Sequence, residues 1–233
     1  MKRRRTALVT GLVTMALAVS GNAIAAAPDQ EATAAAEAAS FTDIGPGDTF
    51  YTEVQWMADS GISTGFADGT FRPTAPVTRE ATAAFLGRWS DMRPEPCDPA
   101  DTRTFSDVTA GHPFCDYIEL LALFAIQGYP DGTFRPGATL TREAFAAILM
   151  RGFGGDAACD PETPRTFSDV TIGHPFCGYI EEAAERGFVN GWSDGTFRPG
   201  LNIERQAMAA ILYRASELED TGPALSTWAA DAD

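Results

Sequence analysis

After residue 5 the chain contains no lysine, and it holds only two histidines and four cysteines. His112 and His174 stand in two copies of one stretch, GHPFC, so no H-E-x-x-H zinc site is available, and neither a nucleophile elbow nor a phosphate loop occurs. Long apolar runs are equally scarce. The one uncharged stretch, from Thr6 to about Ser20, follows Lys2-Arg3-Arg4-Arg5 and precedes Ala23-Ile24-Ala25. A basic start, a short apolar core and an A-x-A site predict a secretory signal peptide over residues 1–25, too short to serve as a membrane anchor. No cysteine sits at that cleavage site, which argues against a lipoprotein, and no wall-sorting signal is recognised. What the remainder lacks most is positive charge: 13 arginines face 32 acidic residues, a net charge of about −19. That balance argues against nucleic acid as a partner and leaves no basic patch for an anionic membrane surface.

What is present is repetition. DGTFRP occurs at residues 68–73, 131–136 and 194–199, a period of 63. Phe41-Thr42-Asp43-Ile44 recurs as Phe105-Ser106-Asp107-Val108 and Phe167-Ser168-Asp169-Val170. Thr78-Arg79-Glu80-Ala81 recurs as Thr141-Arg142-Glu143-Ala144 and, altered, as Glu204-Arg205-Gln206-Ala207. Nine of the 13 arginines fall in three columns, 72/135/198, 79/142/205 and 88/151/214. A compositional bias toward arginine would scatter them; duplication of one unit aligns them. The chain is therefore a three-unit repeat protein whose units bury their apolar faces against one another. The units span residues 41–90, 105–152 and 167–216, joined by linkers 91–104 and 153–166. They lie between an alanine-rich segment 26–40 and an acidic tail 217–233.

Each unit reads as helix, loop, helix. First helices are expected over about residues 51–60, 116–124 and 178–186, followed by a glycine-punctuated loop and the Asp-Gly turn. Phe71, Phe134 and Phe197 are core plugs. A single acidic ligand per motif makes an EF-hand calcium loop a poor reading. Second helices start at the threonine column: Thr78 and Thr141 cap them, Glu80 and Glu143 favour the first turn, and Glu204 caps less well. The predicted fold class is mainly α, with three helix-loop-helix repeats forming a pseudo-threefold three-helix spindle.

The pattern F-x-D-[VI], glycine loop, D-G-T-F-x-P, then T-R at a helix start resembles the S-layer homology family over nearly all of the chain beyond the leader. The resemblance implies a noncatalytic module, secreted to the cell wall or bacterial surface. Its implied ligand is an anionic, often pyruvylated, polysaccharide linked to peptidoglycan, bound in grooves between repeats; surface-layer proteins are further possible partners. The family's T-R-A-E arginine falls on Arg79, Arg142 and Arg205. Here the acid is displaced by one place in units one and two and absent from unit three. A guanidinium suits a two-oxygen anion, and a helix N-terminus adds amide donors. Alternatively these arginines pair with Asp43, Asp107 and Asp169 to pin the units. Arg72, Arg135 and Arg198 are second ligand candidates, or else staples of the Asp-Gly turn.

Cys97, Cys115, Cys159 and Cys177 also obey the repeat, each pair being 18 apart. In a secreted chain they predict disulfides Cys97–Cys115 and Cys159–Cys177, because a duplicated unit carries its own bridge. Three ligands per site in an oxidising compartment disfavour zinc, leaving His112 and His174 to bond within proline-constrained turns. No cofactor is expected. Two other readings remain open: a surface protein acting by self-assembly or protein contacts, and a wall-active glycosidase built on two carboxylates.

Overall fold

Thr78 and Thr141 leave helical geometry and accept a hydrogen bond from the amides of Ala81 and Ala144, each at 3.3 Å, so the expected caps form. In the computed structural model, which describes residues 41–219, six helices follow in chain order. The first helix of each repeat is α1 (Tyr51–Asp59), α3 (Cys115–Ala122) or α5 (Cys177–Glu185); the second is α2 (Arg79–Trp89), α4 (Arg142–Gly152) or α6 (Arg205–Glu219). No strand occurs among the described residues, only isolated bridges such as Thr78 with Thr139 and Thr141 with Asn202. The segment expected to be a signal peptide, the alanine-rich segment and all but the start of the acidic tail lie outside the described residues.

Two sequence motifs prove to be one device. Asp43 places its two carboxylate oxygens 2.7 Å from the amides of Phe71 and Arg72. Asp107 and Asp169 do the same one and two repeats on, at 2.7–2.8 Å. That grip holds Arg72, Arg135 and Arg198 in the left-handed region, φ 57–58°, which L-residues other than glycine seldom enter. Two residues upstream of each aspartate, Phe41, Phe105 or Phe167 packs its ring 5.2 Å from the fully buried motif phenylalanine. The outer rings also press on Gly65, Gly128 and Gly191, where a Cβ would fall 2.4–2.5 Å from a ring carbon. That close approach accounts for the glycine column.

The helices pair between repeats, not within them. α2 packs on α3, α4 on α5, and α6 returns to α1. The loop carrying the Asp-Gly turn leads each second helix away from its own first helix and onto the next repeat. Backbone hydrogen bonds close the arrangement: the Val77 amide donates to Ile203, Ile203 to Leu140, and Leu140 back to Val77, at 2.9–3.0 Å. This ring is the pseudo-threefold axis. Buried Ala83, Ala146 and Ala209, with Leu86, Leu149 and Leu212, give one continuous core. Both disulfides form as expected, Cys97–Cys115 and Cys159–Cys177, each tying a linker to the first residue of α3 or α5.

Candidate functional site

The arginine at the first position of each second helix reaches into the next repeat. Arg79 Nε donates to the Phe134 carbonyl at 2.6 Å and Nη2 to Gln127 at 2.8 Å. Arg205 closes the circle from repeat 3 to repeat 1, donating to the Phe71 carbonyl at 2.7 Å and to Ser63 Oγ at 3.2 Å. Arg142 makes one such bond, Nε to the Phe197 carbonyl at 2.9 Å. The three residues are 7–9% exposed. Burial pulls all three guanidinium pKa values down, to about 10 for Arg142 and Arg205, so each remains a cation at neutral pH.

These arginines do hold the repeats together, through backbone carbonyls; Asp43, Asp107 and Asp169 are engaged instead with the Asp-Gly turns. The first two amides of each second helix are engaged as well. Arg79 N and Glu80 N donate to Ala138 and Pro136 of repeat 2, Arg142 N and Glu143 N to Leu201 and Pro199, and Arg205 N and Gln206 N to Ala75 and Pro73. Those two amides per helix are therefore spent on joining repeats and not on an anion site.

Arg142 is nonetheless not sealed in. Among the described residues the only fully buried side-chain polar atom without a partner is Glu181 Oε1. The Nη atoms of Arg142, which make no hydrogen bond there, are therefore not wholly cut off from solvent. They face a groove of about 510 Å³ at the seam between repeats 2 and 3, which also takes in Trp192, Asn190, Leu201, Glu204 and Arg214. An equivalent groove of about 470 Å³ at the seam between repeats 3 and 1 takes in Arg205, Phe66, Arg72, Arg88 and Thr78.

An aromatic column that sequence reading passed over organises these seams. Phe66, Tyr129 and Trp192 stand two residues before each Asp-Gly, a fixed offset hidden by three different letters. Each ring has an arginine of its own repeat on one flank: Arg72 at 3.8 Å, Arg135 at 3.8 Å, Arg198 at 4.5 Å. The preceding repeat's arginine also lies over it: Arg205 at 4.9 Å, Arg79 at 5.1 Å, Arg142 at 4.3 Å. Arg72, Arg135 and Arg198 meanwhile pair with Asp68, Asp131 and Asp194 at 2.9 Å, so they staple the turn while they flank the ring. The hydroxyl of the intervening threonine, followed by the arginine, holds the three aspartates down to about pKa 2. Phe66 and Trp192 are 37% and 38% exposed, enough to offer a flat apolar face.

The displaced acids find partners as well. His112 Nε2 lies 3.1 Å from Glu80 and His174 Nε2 3.1 Å from Glu143, while each Nδ1 accepts the amide two residues on. Both histidines thus bond within their turns and also bridge two repeats. Among the described residues the sole cluster with metal-ligand spacing is Cys97, Cys115 and Asp116, whose sulfurs are joined in a disulfide.

The sequence model of the S-layer homology domain matches residues 40–83, 104–146 and 166–209. The chain belongs to the S-layer homology domain family. Its relatives include a cell surface glycoprotein 1 of Acetivibrio thermocellus, 30% identical over 163 residues, 66% of this chain and 7% of that protein. A cellulosome-anchoring protein of the same organism is 28% identical over 71% of this chain and 39% of its own length. A surface-layer 125 kDa protein of Lysinibacillus sphaericus is 28% identical over 73% of this chain and 14% of its own. The chain thus spans well under half the length of these relatives. Each matched S-layer homology segment ends just inside the second helix, and so contains Arg79, Arg142 or Arg205 together with its threonine or glutamate. No helix among the described residues is long and apolar enough to cross a membrane.

Proposed function

We propose that this protein is a noncatalytic, secreted wall-anchoring module that holds an anionic polysaccharide attached to peptidoglycan in the grooves between its repeats. The observation that carries this reading is Arg142: a cation fixed by one hydrogen bond, its Nη pair unbonded, lying 4.3 Å over an exposed tryptophan. A guanidinium with two free nitrogens receives a carboxylate or phosphate in bidentate fashion, and the indole face receives the apolar face of a sugar ring. Arg214, in the same groove, adds a second cation near the anion. Arg79 and Arg205, each with Nη2 already bonded, contribute only their remaining Nη at the other two seams, and the Asp-Gly arginines Arg72, Arg135 and Arg198 contribute from the far side of each aromatic ring. With a net charge of −15, or about −19 without residues 1–25, the field at long range repels such a polymer. Retention then comes from local contacts repeated along one polymer chain. The names of the anchoring and surface-layer relatives fit this role.

Co-sedimentation with purified sacculi tests it. The wild-type chain should pellet with sacculi. Trp192→Ala should weaken retention by about tenfold, the loss of a contact worth about 1–1.5 kcal/mol. Arg142→Gln should do the same with an unchanged far-UV spectrum, its melting temperature lowered by the loss of the bond to the Phe197 carbonyl, whereas Trp192→Ala separates retention from that effect. A wild-type chain that stays in the supernatant and self-associates as its concentration rises would replace this reading with assembly.

A further inference from the structure

Glu204 occupies the column that holds a threonine cap in the other two repeats, and it lies in the same groove as Arg142 and Trp192. Its recorded side-chain bond is from Gln206 Nε2 at 2.7 Å, and no arginine or histidine comes within ion-pair distance of it among the described residues. The acids of the other repeats are answered differently. Glu80 and Glu143 each meet a histidine of the following repeat at 3.1 Å; at the remaining seam the corresponding residues are Gln206 and Asp48. One seam therefore presents a partly buried carboxylate with one oxygen free of hydrogen bonds, in the same groove as an arginine whose Nη atoms are likewise unbonded. The two charges are close enough that Glu204 offsets part of the burial effect on Arg142.

A purely anionic ligand would gain from Arg142 and Arg214 and lose part of that gain to repulsion by Glu204. A ligand carrying both signs turns both residues to account. We propose that the groove at the seam of repeats 2 and 3 selects a wall glycan bearing a protonated amine near its anionic group, with Glu204 receiving the amine and Arg142 the anion. This rests on the wall-anchoring reading above and specifies the ligand class of one of its grooves. Trp192 favours a sugar ring as the carrier, because its exposed face suits a flat apolar surface between the two charges. An un-acetylated hexosamine and an ester-linked amino acid would supply the same ammonium.

The test uses glycan released from sacculi in three forms: untreated, N-acetylated with acetic anhydride, and stripped of ester-linked amino acids by mild alkali. Each is titrated calorimetrically into the full chain and into Glu204→Thr, which restores the residue of repeats 1 and 2, and Glu204→Gln. Acetylation should weaken wild-type binding at least fivefold. Both variants should lose a similar factor toward untreated glycan and become insensitive to acetylation. Binding that survives alkali assigns the amine to a hexosamine, and binding lost in alkali assigns it to an ester; either supports the proposal. Tighter binding of untreated glycan by Glu204→Thr would show that the carboxylate only repels, and would overturn it, as would wild-type binding unaffected by acetylation. Acetylated glycan held through Trp192 would sink the amine preference and leave the anchoring role standing, whereas wild type binding none of the three forms would sink both.

Discussion

The left-handed arginines of the Asp-Gly turns depend on a carboxylate far away in sequence. Asp107 spans 27 and 28 residues to reach the amides of Phe134 and Arg135, and without it two amides and a strained φ of 57° lose their support. Asp107→Ala should therefore cost about 1.5–3 kcal/mol, the range for hydrogen bonds to a charged group, measured by urea unfolding. Asp68, Asp131 and Asp194 carry a different signature. Their carboxyl pKa values are lowered in the folded chain to about 2, so they stabilise the fold above the unfolded carboxylate range and lose that effect as pH falls. Thermal melts should decline between about pH 4 and pH 2, and Asp131→Asn should flatten that decline. The arginine columns, the core phenylalanines and the cysteine pairs were legible in the sequence because identical letters recur at fixed spacing. The aromatic column was not, since Phe66, Tyr129 and Trp192 share a ring and not a letter.

At the scale of helices, boundaries followed from local chemistry: threonine caps placed α2 and α4 as expected, and the first helices began within a residue of prediction. Pairing was not legible. Periodicity shows which face of a helix is apolar, but nothing local says whether that face meets its own repeat or the next one. The same blindness applied to the helix N-termini, whose amides pair with carbonyls tens of residues away. Gly87 offers a direct check on the inter-repeat pairing of α2 with α3. A Cβ there would lie 2.3 Å from a ring carbon of Tyr117, so Gly87→Ala must displace the Tyr117 ring or the helix that carries it. It should cost about 1–3 kcal/mol by chemical denaturation despite alanine's better helix propensity. Thr141→Ala, which removes the cap to the Ala144 amide, should cost about 1 kcal/mol in the same assay.

Over the whole molecule, closure makes the repeats interdependent. Deleting repeat 3 would leave the Phe71 carbonyl without Arg205, the Val77 amide without Ile203, and α1 without α6. Residues 41–165 alone should consequently show no cooperative thermal transition by circular dichroism, in contrast to a linear array that merely loses a terminal unit. Of the three seams, two are crossed by a covalent linker reinforced with a disulfide, at Cys97–Cys115 and Cys159–Cys177. The third, α6 on α1, is held by packing and hydrogen bonds. It behaves as the clasp of a bracelet: under mechanical load from both ends, or in thermal fluctuation, this joint should part before the riveted ones, and hydrogen exchange should register its opening first at the amides of α1.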